Sequence, residues 1–224
     1  MAYDRSTDLL SPGTLDDLSA ELPRLGAGEV KRLGDLASVG LFLAYRDLED
    51  PALTLEGKLS RQTNVPFRLY RNQGTLPRAY FVSRAIPESG SALESLTRRD
   101  WDPHGSVYLQ GITQERGAAG GEGEVEWKAD RTEILELRVK TAVPGWVVLT
   151  DNDYPGWMAE LDGRRVPIRR ANFLFRAVEV PSSGPHDITF RYSPTSWRIG
   201  GTGTAASLAL AGFWMLQGRR RGKA

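Results

Sequence analysis

Cysteine is absent from the sequence, which excludes disulfides, thiolate metal sites and a cysteine nucleophile. A domain of this size builds a core without disulfides, so their absence does not fix the redox compartment. Histidine is scarce. His104 and His186 lie far apart in the chain, and neither has a neighbouring ligand at metal spacing, so no metal site is expected. The glycine-rich run from Gly117 to Gly123 lacks the lysine and the strand–helix setting of a phosphate loop, and no nucleophile elbow marks a serine hydrolase. No cofactor is expected. The start, MAYDRSTDLL, lacks the apolar core of a signal peptide. A general excess of positive charge is missing too: without the four cations Arg219, Arg220, Arg221 and Lys223, the 29 basic residues fall to 25 against 28 acidic, a net of −3. That balance argues against a nucleic-acid surface.

Charge is missing altogether from one stretch, Ile199 to Gly218. The remaining composition, 40% hydrophobic and 25% charged over 224 residues, is ordinary for a folded protein with a sizeable core. The chargeless stretch has eleven apolar residues in twenty, and ~20 residues at ~1.5 Å rise cover a ~30 Å hydrocarbon layer. It is therefore expected to be a transmembrane helix, residues 199–218. Trp197 and Trp214, about 17 residues apart, suit interfacial anchors, and Arg219, Arg220 and Arg221 suit a cytoplasmic end, residues 219–224. The competing reading is a buried Ala/Gly-rich core helix with a solvated basic tail. Small residues at four-residue spacing (Gly201, Ala205, Ala209) would let neighbouring transmembrane helices approach. With the basic end inside and no export signal at the start, the expectation is a chain that ends, or is encoded beside, a longer multi-spanning protein. The bulk of it would then be extracytoplasmic, at the cell membrane, with membrane lipid and other transmembrane helices as partners.

Before that stretch the sequence is strand-rich. Residues 1–66 read as a helical and extended segment: Thr14 caps a helix that stops at Pro23, a second helix covers Ala27 to Ala37, and Ser38 to Tyr45 suits a buried strand. Residues 67–198 read as a β-sandwich. Phe67–Arg71 and Arg78–Ser83 alternate and suggest a hairpin, SALESLTR (91–98) a short surface helix, and Val107–Gly111 a strand. Arg116–Gly123 is expected to be a flexible loop, too rich in glycine to pack. Glu124–Lys140 alternates with period two, Trp146–Thr150 is apolar throughout and suits a central strand, and Asp162–Gly163 is a type I′ hairpin signal. Phe173–Val180 and Ile188–Tyr192 complete the series. The fold expected is mainly β: an antiparallel β-sandwich with short N-terminal helices and one C-terminal transmembrane helix.

The ordered set Val143–Asp151, Tyr154–Trp157, Leu161–Gly163, Phe175–Val178 and Phe190–Pro194, with Leu69–Asn72 and Leu76–Tyr80 upstream, resembles the carboxy-terminal end of the bacterial YfhO membrane-protein family. The likeness covers roughly residues 30 to 217. It implies a polytopic protein similar to integral-membrane glycosyltransferases that use lipid-linked sugar donors, with an extracytoplasmic sandwich and one closing helix. In such enzymes the acidic catalytic residues lie in an early loop that has no counterpart in these residues, so no catalytic residue is assigned and this chain alone is not expected to transfer sugar.

Two groups stand out as binding candidates. Asp151, Asp153, Tyr154 and Trp157 place carboxylates beside aromatic rings, the furniture of a glycan contact; alternatively Trp146 and Trp157 are core tryptophans and the aspartates turn formers. Arg78, Arg164, Arg165, Arg169 and Arg170 are candidates for lipid phosphates, against a bland reading as solvated strand faces. The expected function is a noncatalytic part of a YfhO-like membrane protein that assists lipid-linked sugar or envelope glycan handling. The alternatives are a membrane-anchored glycan- or protein-binding module without a transferase role, and a soluble hydrolase with a core helix.

Overall fold

The computed structural model describes residues 26–59 and 67–194, and beyond them only residues 200, 204, 207 and 208. Among these, the elements follow in the order α1 (Ala27–Leu36), β1 (Leu41–Ala44), β2 (Leu53–Leu59), β3 (Phe67–Asn72), β4 (Ala79–Val82), β5 (Arg84–Pro87), α2 (Ala92–Thr97), β6 (Ser106–Leu109), β7 (Gly123–Arg131), β8 (Ile134–Thr141), β9 (Gly145–Asn152), β10 (Trp157–Leu161), β11 (Arg164–Val166), β12 (Arg169–Ala171), β13 (Phe175–Val180) and β14 (Gly184–Tyr192). The chain is mainly β, with its sheets antiparallel save for the β5–β6 pair.

The sequence pattern explains the two layers. In β8 alternate residues Leu135, Leu137 and Val139 turn inward while Glu136, Arg138 and Lys140 stay in water, as a one-sided strand requires. It lies within the five-stranded sheet β11-β10-β14-β8-β7. Strand β9 is buried on both sides, because it sits inside the six-stranded sheet β4-β9-β13-β12-β6-β5. Val147 and Leu149 face the first sheet together with Leu137, Ala159 and Phe190, while Trp146 and Val148 face a second apolar layer with Tyr80, Trp101, Val107 and Phe175. The two sheets thus form a sandwich around the first layer. Each fully buried Leu, Val, Ile or Phe contributes about 1.5–3 kcal/mol, so these layers dominate the stability.

The Asp162–Gly163 turn between β10 and β11 has φ +50° and +74°, the two positive angles that a type I′ turn demands. After Val166 the chain leaves this sheet and enters the other as β12, which brings the basic pairs Arg164–Arg165 and Arg169–Arg170 to a junction between layers.

Three expectations are corrected. Phe67–Arg71 and Arg78–Ser83 do not form a hairpin: β3 pairs with β1 and β2, and β4 pairs with β9, Phe81 opposite Val147. Strand β4 is buried at every position and so does not alternate at all, which suits its place against β9 inside the larger sheet. The run Ser38–Tyr45 does not make a buried strand. Strand β1 is the edge of a three-stranded sheet, with Phe42 turned toward Gly34 of α1 and Leu41 and Leu43 turned out, 48% and 58% exposed. The Arg116–Gly123 segment is packed rather than loose. Arg116 exchanges backbone hydrogen bonds with Ala85, and a Cβ on Gly117 would lie 2.0 Å from the Ser83 carbonyl oxygen. Glycine is needed there for close approach, which composition alone reads as flexibility. Strand β3, which begins at residue 67, shares its sheet with β1 and β2 from the preceding segment.

No helix among the described residues is long and apolar enough to cross a membrane. The expected span 199–218 lies outside the described residues apart from 200, 204, 207 and 208, which are helical, and so do Trp197, Trp214, Arg219, Arg220 and Arg221.

Candidate functional site

Asp151 is next to last in β9, Asp153 and Tyr154 lie in the loop to β10, and Trp157 opens β10, so the four glycan candidates lie on and beside one loop at the rim of the sandwich. The loop is held by Asp153 N–H donating to the Leu174 carbonyl at 2.7 Å and Ser193 N–H donating to the Gly156 carbonyl at 2.7 Å. Gly156, at φ +107°, makes the bend that lets Tyr192 and Pro194 lie against it.

The aromatic residues divide. Tyr154 is 44% exposed, whereas Trp157 is 8% exposed. The Tyr154 ring stands edge-on to Trp157 (centroids 6.3 Å, planes 77°) and to Tyr192 (5.5 Å, 67°), and Trp157 packs on Tyr192 at 5.3 Å. Trp157 is thus the foundation of an aromatic group and Tyr154 its accessible tip; Trp146 lies wholly in the core.

Asp151 is already engaged. Its carboxylate accepts two hydrogen bonds from Arg78, Nε to Oδ1 at 2.9 Å and Nη2 to Oδ2 at 3.0 Å, and a third from Arg176 Nη2 at 2.9 Å. Arg78 also donates through Nη1 to Asp130 at 2.7 Å and lies over the Trp127 ring at 4.9 Å. These bonds to Asp151, ahead of all other influences, hold the Arg78 guanidinium above its ordinary pKa. Arg78 is therefore a clamp that joins β4, β7 and β9 rather than a free cation awaiting a lipid phosphate.

Arg176, in the middle of the apolar strand β13, was not singled out by the sequence reading. Its side chain is 1% exposed, its guanidinium lies 4.0 Å over Trp157 and 5.7 Å from Phe190, and its Nε and Nη1 are buried without a hydrogen-bond partner among the described residues. Burial, the largest influence, pushes its pKa below the usual arginine value. One signal could have found it: an arginine between Phe175 and Ala177, where the strand pattern calls for a core residue.

Two concave surfaces flank Tyr154, and both are lined by Tyr154 and Trp157. One, of about 560 Å³, is walled by Arg78, Asp130, Asp151 and Arg176. The other, of about 520 Å³, carries Asp153, Arg165, Arg169 and Arg170 over an apolar floor. The fold thus brings the two candidate groups together, apart from Arg164, which is exposed and lines neither cleft.

A Ser–His–Asp grouping that the sequence did not single out lies apart from both clefts. His186 Nδ1 is 2.7 Å from Asp162 Oδ2, and its Nε2 is 3.3 Å from Ser182 Oγ and 3.1 Å from the Ser182 carbonyl oxygen. The hydrogen bond to Asp162 raises the imidazole pKa above its usual value and holds the carboxyl below its own. His186 thus ties the β10–β11 turn, through Asp162, to the β13–β14 turn, through Ser182. Among the described residues no His/Asp/Glu cluster could hold a metal ion. Comparison with protein-family models, with curated proteins and with solved structures finds no match to the chain.

Proposed function

We propose that this chain is a noncatalytic binding module of the cell envelope that holds a glycan or the sugar of a lipid-linked donor at the Tyr154 rim. In this reading it is the extracytoplasmic sandwich and closing helix of a YfhO-like glycosyltransferase-type membrane protein, and other transmembrane helices and membrane lipid are its partners. The observation that carries the binding role is the accessible Tyr154 ring between two polar clefts, braced from below by Trp157 and Tyr192. A pyranose presents an apolar C–H face to such a ring and hydroxyls to fixed charges beside it. The Arg78–Asp151–Arg176 array supplies those charges in one geometry, so little side-chain entropy is lost on binding. Its components are bonded to one another, which suits recognition and leaves no carboxyl poised as an acid or base.

The test is saccharide binding by the full chain in neutral detergent, on an array of envelope glycans and by titration of the best binder. Tyr154→Ala is expected to weaken binding at least about tenfold, equivalent to ~1.4 kcal/mol, with an unchanged melting temperature. Retention of no saccharide by the wild-type protein, or equal binding by the variant, would overturn the reading.

A further inference from the structure

The second cleft gathers three arginines on one concave surface. Arg68, Arg71, Arg84, Arg98, Arg116 and Arg138 each face a carboxylate on the surface. Arg165 and Arg169, which wall this cleft, have no carboxylate partner among the described residues, and Arg169 makes only a long hydrogen bond, 3.4 Å, to the Gly111 carbonyl. Arg170 reaches Glu88 through Nη2 at 3.4 Å, yet its Nε is buried without a partner among the described residues. Three arginines, one of them paired with Glu88, therefore line one concavity together with Asp153.

The cleft also has an apolar lining: buried Trp157, Ala159 and Ile168, with half-buried Met158 and Val166. A volume of about 520 Å³ is that of a small organic ligand. Guanidinium forks match the oxygens of a phosphate two at a time, and a low-dielectric floor strengthens each such bond. The arginines sit on β11 and β12, short strands fixed in different sheets, so their separation is set by the fold rather than by flexible loops.

From this geometry we infer that the cleft lined by Arg165, Arg169 and Arg170 binds a phosphate ester, the phosphate on the arginines and the organic part on the apolar lining of Trp157, Met158 and Val166. The inference deepens the proposed binding role and rests on it in assigning the phosphate to the ligand whose sugar Tyr154 contacts. The ester could be a lipid headgroup or a phosphorylated sugar, which share this chemistry.

The experiment titrates the full chain in neutral detergent, by calorimetry, with dihexanoyl phosphatidic acid, glucose 1-phosphate and inorganic phosphate, and with dihexanoylglycerol and glucose as uncharged controls. At least one ester is expected to bind more tightly than its control, and Arg165→Gln with Arg169→Gln is expected to weaken it at least about tenfold. Tighter binding of the lipid ester identifies a membrane source, and tighter binding of the sugar ester a soluble one; either supports the inference. Arg165→Glu alone, at an exposed position, must show the same loss if the double variant does not fold. The inference is overturned if no ester exceeds its control, if only inorganic phosphate binds, or if the arginine variants bind as the wild type does. Esters bound without any saccharide would keep the phosphate cleft and sink the sugar role, and saccharide bound without esters would do the reverse.

Discussion

Removing the carboxylate of Asp151 exposes the energetics of the rim. Arg176 is 1% exposed, and among the described residues two of its nitrogens lack partners and its one ion pair is the 2.9 Å bond to Asp151. An Asp151→Ala variant leaves that charge uncompensated, a change that costs about 3–5 kcal/mol for a buried pair. The cation–π contact with Trp157 is present in both proteins and cancels, but Asp151 is itself 24% exposed, so water reaches the site readily and lowers the cost. We expect the low end, about 3 kcal/mol, or a fall of roughly 6–12 °C in melting temperature for a chain of this size. Arg176→Met removes the buried charge and leaves Asp151 bonded to Arg78, so it should cost under about 1 kcal/mol. The double variant should then resemble Arg176→Met alone, and the difference between observed and summed losses measures the coupling. Scanning calorimetry of all four proteins decides the matter: an Asp151→Ala loss below ~1 kcal/mol, or strict additivity in the double variant, would refute the reasoning.

Two further outcomes follow from the packing and the ionisation. Gly117→Ala meets the Ser83 carbonyl in addition to its positive φ of +73°, whereas Gly90→Ala, at φ +69°, meets no atom within 4 Å. Both carry the left-handed penalty of about 1–2 kcal/mol, so chemical denaturation should show Gly117→Ala the more damaging by a further ~1 kcal/mol or more; equal losses would mean that the loop yields freely. The His186 tie depends on pH in a defined direction. A histidine pKa raised in the fold gives stability that is fully present below its ordinary value of 6.5 and is lost as pH rises through the raised value. The lowered Asp162 pKa gives stability present above 3.8 and lost as pH falls through the folded value. The melting difference between wild type and His186→Phe should thus be larger at about pH 5.5 than at about pH 9, and an equal difference at both would remove the tie.

The sequence by itself determined the strands whose burial is one-sided or complete. Period-two alternation in residues 134–141, the apolar run at 146–150 and the Asp162–Gly163 turn follow from local geometry: side chains alternate across a strand, and a type I′ turn needs two positive φ angles. Asp151, Asp153, Tyr154 and Trp157 were legible as a group because they lie within seven residues, on and beside one short loop. Partner choice was not legible. That Phe67–Asn72 joins β1 and β2 while Ala79–Val82 joins β9 depends on which apolar faces meet across long stretches of chain, and alternation is silent on that. Nor could spacing show that Arg78 spans 73 residues to reach Asp151, or that Arg176 lies beneath Trp157. Tertiary structure decided which arginines are neutralised by carboxylates and which are left facing the cleft, because ion pairing at a few ångströms is a property of distance in space and not of order along the chain.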